Sequence, residues 1–114
     1  MTNKIKITQL QSEINHLLLG KEHWLMPALE MHFFTISKTP ENKKDYLDWF
    51  VQDTQLEPPF LPQQLKLDTN ASIINVLIDN SIMNQDANII KILQFMKWLI
   101  VGEINNIEQA KNSS

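Results

Sequence analysis

Apolar residues recur along this chain at steps of three and four, the spacing that puts side chains on one face of an α-helix. Ile7, Leu10, Ile14, Leu17 and Leu18 form the first such stripe, and Gly20 follows where a left-handed turn can end it. The pattern predicts a helix over 7–19, with residues 1–6 as a loose end. Tyr46, Leu47, Phe50 and Val51 form a second stripe. Thr39-Pro40-Glu41 introduces it with a hydroxyl cap, a proline at the first helical position and an acid in the first turn. A third stripe, Ile73, Ile74, Leu77 and Ile78, follows Asp68 and Thr69, either of which can cap it. The longest apolar-rich stretch runs from Ala87 to Gln109, behind Asp86 as a capping residue. There Ile89, Ile92, Leu93, Met96, Leu99, Ile100, Ile104 and Ile107 share one broad face.

Two stretches are less regular. Over Lys21–Ser37, Pro27 suits the first turn of a helix with Leu29, Phe33 and Ile36 as its stripe. The run EMHFFTI at 30–36 also has the composition of a strand. A strand needs a partner and the chain offers few, so helix is the preferred reading. Pro58, Pro59 and Pro62 then forbid a regular helix and favour a stiff crossover loop that pins Phe60 and Leu61 on the core. The P-x-x-P spacing from Pro59 to Pro62 lacks the adjoining cation of a proline-rich ligand. The expected fold is all-α: a compact bundle of four to five helices with a proline-rich crossover loop, one domain over 1–114, frayed at 1–6 and 112–114. The alternative is α+β with one strand near residues 29–37.

Ile90, Trp98 and Val101 lie on or beside the polar side of the last stripe. A helix apolar on most sides is either central to its fold or meets another chain. Lys91, Gln94 and Lys97 interrupt the run, so a membrane span is not expected.

Composition removes several chemistries. There is no cysteine, which excludes disulfides, thiol nucleophiles and thiolate zinc sites. No leader-like segment opens the sequence, and a cytoplasmic protein is expected. Abundant Ile, Asn and Lys fit an AT-rich bacterial genome. The net charge of −3 is unevenly spread. Residues 48–86 carry Asp48, Asp53, Glu57, Asp68, Asp79 and Asp86 against Lys66 alone, while both flanks are slightly basic. All ten basic residues are lysine. Without arginine, and with an acidic middle, nucleic-acid binding is not expected. A basic protein partner is the better match.

Candidate chemistry is sparse. His16, His23 and His32 are the only histidines, and Gly20 and Pro27 keep them off one helix face, so no metal site or cofactor is expected. His16-Leu17-Leu18-Leu19-Gly20 resembles the histidine phosphotransfer motif H-x-L-K-G over five residues, with Leu19 in place of its lysine. It stands on the first helix, too early for that architecture, and is not adopted. No G-x-S-x-G elbow or glycine-rich phosphate loop is present. Asp45 and Asp48 sit one turn apart on a charge-rich face and read as solvated. Glu103 falls inside the apolar arc beside Ile92, Met96 and Leu99, where a buried carboxylate would need a partner. The simpler expectation is that the core has ended there or that Gly102 loosens the helix. Trp24, Trp49 and Trp98 are many tryptophans for this length.

The function these features imply is a non-enzymatic protein-binding module, such as a small microbial adaptor, inhibitor, immunity factor or secretion chaperone. Its interface is expected at Ile90, Gln94, Lys97, Trp98 and Val101, in a homodimer or a heterocomplex. The alternatives are a helix-turn-helix-like transcription regulator using residues 70–98, and a small enzyme or ligand or metal carrier using the histidines.

Overall fold

The structure is a computed structural model that describes residues 2–58 and 86–112. Among these, four helices follow in order: α1 Thr2–Leu18, α2 Glu22–Lys38, α3 Pro40–Thr54 and α4 Asp86–Asn112. No strand occurs among the described residues. The fold is all-α, and the stretch that suited a strand lies within α2.

The central element is α4. Its 27 residues reach about 40 Å at the helical rise. It lies against α1 on one side and α2 on the other. From α3, the Phe50 ring meets those of Phe95 and Trp98 edge-on, each at 5.6 Å between centroids. A helix flanked in this way needs a wide apolar arc. Ile92, Leu93, Phe95, Met96, Leu99 and Ile100 supply it, all buried. Ile89 and Ile104 pack at its edge. Opposite stand Leu25, Leu29, Phe33 and Ile36 of α2, Leu47 and Phe50 of α3, and Ile14 of α1. Phe95, outside the stripe read from spacing, is completely buried, and Phe50 of α3 packs against it.

The connections from α1 to α2 and from α2 to α3 are short and chemically specified. Gly20 takes φ +78°, which glycine adopts without a Cβ penalty, and ends α1. Thr39 starts α3: its hydroxyl accepts from the Asn42 N–H at 3.2 Å, and Pro40 follows at the first helical position. Asn42 also donates through Nδ2 to the Thr35 carbonyl at 3.0 Å, tying the first turn of α3 to the last turns of α2. Gln55 closes α3 in the left-handed region at φ 60°, its N–H donating to the Val51 carbonyl.

Several boundaries differ from those expected. Helix α1 starts at Thr2, since nothing in residues 2–6 breaks a helix. Pro27 stands inside α2, not in its first turn. Burial of Leu25 at 0 % exposure, and partial burial of Trp24, hold the preceding turn helical. The carbonyl that Pro27 cannot satisfy belongs to His23, which is exposed to water. Asp86 is the first residue of α4, and Asn112 its last, inside the segment expected to fray. The proline-rich loop beyond Pro58, and the helix expected after Asp68, lie outside the described residues.

Truncating Phe95 to alanine is expected to cost about 3–5 kcal/mol, as for large aromatic cavities. Removing the Thr39 cap by alanine is expected to cost about 1 kcal/mol. Urea denaturation followed by far-UV circular dichroism checks both values.

Candidate functional site

The clamp between α2 and α3 sets up an unusual polar chain one turn further on. Tyr46 of α3 reaches Nδ1 of His32 on α2 at 2.8 Å. Nε2 of the same ring meets Oε2 of Glu103 on α4, also at 2.8 Å. The His32 and Glu103 side chains are only 29 % and 16 % exposed, so water competes weakly for either. Glu103 is therefore neither beyond the core nor on a loosened turn, as the sequence suggested. It sits in the apolar arc with a partner drawn from 71 residues earlier.

Hydrogen-bond chemistry orders this chain. A carboxylate only accepts, so Nε2 carries the proton and donates to Glu103. The other nitrogen of a neutral imidazole must then accept, and the Tyr46 hydroxyl donates to it. Burial pushes the Tyr46 phenol above its ordinary range, and the negative charge of Glu103 pushes the same way. Tyr46 stays protonated as a donor, the opposite of an activated nucleophile. Three helices are thus joined through one histidine ring.

A cleft of 280 Å³ opens beside the chain. His32, Tyr46 and Glu103 form one side. Trp49 and Asp53 of α3 and Trp98, Leu99, Gly102 and Asn106 of α4 complete it. Tyr46 and Trp49 pack with centroids 5.2 Å apart. Trp98 rests on Phe50 and Phe95, and its indole N–H donates to Oδ2 of Asp53 at 3.1 Å. Trp98 is thereby fixed as an inner wall. Trp49 is 51 % exposed and stands at the rim. Among the described residues nothing lies within 4 Å of where a Cβ of Gly102 would be, so the missing side chain leaves room in the cleft.

The other expected interface residues lie elsewhere. Ile90, Gln94, Lys97 and Val101 form one stripe of α4 beside α1, all half-buried. Ile90 and Gln94 line a 230 Å³ recess with Leu10 and Glu13. Lys97 and Val101 line one of 420 Å³ with His16 and Leu17. Lys97 donates to Oε2 of Glu13 at 2.7 Å, tying this seam together. The structure separates Trp98 from these four, and α1 already occupies their side. A larger recess of 750 Å³ runs along α1 beside Lys4, Ile5 and Thr8, where no acid–base pair or ring cluster converges.

His16 and His23 are exposed, and neither lines the cleft with His32. Among the described residues no three metal-ligating side chains converge. No helix among them is long and apolar enough to cross a membrane. Sequence reasoning missed the joint role of His32, Tyr46, Trp49 and Asp53. The signal was present: His32 lies about 20° from Leu25 on the helical wheel, at the edge of the buried stripe, as Glu103 lies in that of α4.

No family model matches the chain, and searches of the curated proteins and of the solved structures returned no match. The functional reading rests on geometry and chemistry.

Tyr46 is the only tyrosine, so tyrosinate absorbance near 295 nm reads it alone. Its midpoint is expected above the ordinary phenol value of about 10 in the folded protein, returning to that value in urea. The native phenol holds its proton after the unfolded one has released it. Stability from this group is therefore full below about pH 10 and is lost as pH rises through the native midpoint. In Tyr46→Phe this alkaline loss is expected to disappear.

Proposed function

We propose that the chain is a non-enzymatic protein-binding module that receives a segment of its partner in the cleft between α2, α3 and α4. The observation that carries this reading is the exposed Trp49 ring at the rim of a concave site backed by Trp98. Tryptophan offers large contact area and one donor, and truncated tryptophans are among the costliest losses at protein interfaces. Core packing does not require Trp49 to be there, since half of it faces solvent.

Gly102 supports the same reading. A glycine within a helix costs about 1 kcal/mol relative to alanine. Among the described residues nothing within 4 Å would meet a Cβ at Gly102, yet the chain keeps glycine there. Forgone stability at a recess is a common signature of a functional site.

Adaptor, inhibitor, immunity factor and secretion chaperone are all compatible with such a module. The expected partner is a protein with a basic segment, because Asp53 and Glu103 line the cleft without a lysine among the described residues. The partner is a second protein rather than another copy of this chain in this reading. The stripe Ile90, Gln94, Lys97 and Val101, first expected as the interface, is assigned to holding α1.

Selection of displayed random peptides on the immobilised full chain tests the module. Peptides are expected to enrich on the wild type and to be lost on Trp49→Ala and on Gly102→Leu. The second variant fills the cleft while raising helix propensity, and far-UV circular dichroism separates its loss of binding from unfolding. Equal enrichment on all three proteins, or none on the wild type, contradicts the reading. Trp49→Ala is expected to cost about 1 kcal/mol of stability, for the loss of its packing on Tyr46.

A further inference from the structure

We infer that the cleft is a receptor for one basic side chain of the partner, an alkylammonium or guanidinium held between the Trp49 ring and the carboxylates of Asp53 and Glu103. This rests on the binding-module reading and adds the chemistry of the group recognised.

Among the described residues three aromatic side chains line the cleft, Tyr46, Trp49 and Trp98. An aromatic face carries negative potential and attracts a cation, tryptophan most strongly. The chain already uses this attraction elsewhere: the Lys38 ammonium stands 5.7 Å from the centre of the Phe34 ring. The two carboxylates are then placed for a second kind of contact. Each spends one oxygen within the fold, Oδ2 of Asp53 on the Trp98 indole and Oε2 of Glu103 on His32. Among the described residues nothing else bonds the remaining oxygen of either, which leaves each an acceptor for a charged donor.

Charge decides between occupants. An apolar side chain would desolvate both carboxylates without compensation. An anion would meet like charge. A cation satisfies rings and carboxylates together, and charge-assisted hydrogen bonds are the stronger kind. His32 does not serve as that cation in the neutral state, because its Nε2 proton is already committed to Glu103.

The bonds inside the fold allow a clean test. Glu103→Gln keeps an oxygen that accepts from His32, and Asp53→Asn keeps one that accepts from Trp98. Both remove charge while leaving shape. The probe is acetyl-Gly-Arg-Gly-amide, and its control is the same peptide with citrulline, an uncharged isostere of arginine. The indole N–H signals of Trp24, Trp49 and Trp98 are followed by nitrogen–proton correlation spectra of the full chain.

Saturable movement of the Trp49 and Trp98 signals with the arginine peptide is expected in the millimolar range, with the Trp24 signal still. The citrulline peptide is expected to bind at least tenfold more weakly, as is the arginine peptide to the Asp53→Asn/Glu103→Gln double variant. Trp49→Ala is expected to lose roughly threefold to thirtyfold, the range of a cation–aromatic contact. Equal responses to the two peptides, an unchanged affinity of the double variant, or no saturable movement overturns the proposal. Failure here is separable from failure of the module. Displayed peptides that depend on Trp49 and Gly102 yet contain no lysine or arginine would leave the module standing and remove the cation.

Discussion

A carboxylate pressed into an apolar arc is the constraint on which this arrangement depends. Glu103 shares the side of α4 that carries Met96 and Leu99, both buried. Leaving a charge there unpaired would cost several kcal/mol, so something must reach it. His32 does, at 2.8 Å, and Tyr46 completes the imidazole from the other side. The register of α2 against α4 and the placement of α3 are thereby fixed together. A slip of either helix by one residue would carry the ring away from its partners.

Around this polar chain the fold supplies rigid support. Phe50, Phe95 and Trp98 pack with all three centroid separations at 5.6 Å, wedging α3 onto α4. The Thr39 cap and the Asn42 bond to Thr35 set how α3 leaves α2. Trp98 is held by this wedge and by Asp53, so it walls the cleft without being free to fill it. Among the described residues Trp49 rests only on the Tyr46 ring. A rigid inner wall and an accessible outer ring would give the proposed partner a preorganised site, limiting the ordering cost of binding. The helix propensity given up at Gly102 fits the same account.

The helices were legible because amphipathic spacing, caps and a turn glycine agreed. Thr39-Pro40-Glu41 and Gly20 do in the structure what their chemistry implies. Boundaries were less legible where tertiary contact outweighed local rules. Pro27 reads as a helix start, yet burial of Leu25 carries the helix five residues upstream of it. The breadth of the apolar surface on α4 was visible, but its meaning depended on neighbours. Ile90 and Val101 face α1, whereas Trp98 faces α3, a division that spacing within one helix cannot show. The cleft was hardest to foresee. His32, Tyr46 and Glu103 come from three helices, and each alone looks like an edge residue. Only the oddity of Glu103 hinted that a partner was needed, and single-helix reasoning has no means of naming it.

The most direct test is the proton position on His32, read from long-range nitrogen–proton spectra of its imidazole at a pH where the ring is neutral. The account predicts a proton on Nε2, a bare Nδ1, and a single ring orientation that loses definition in Glu103→Ala. A proton on Nδ1, or signals averaged between both forms in the wild type, would mean that Glu103 and Tyr46 do not hold the ring. The three-helix lock would then be wrong.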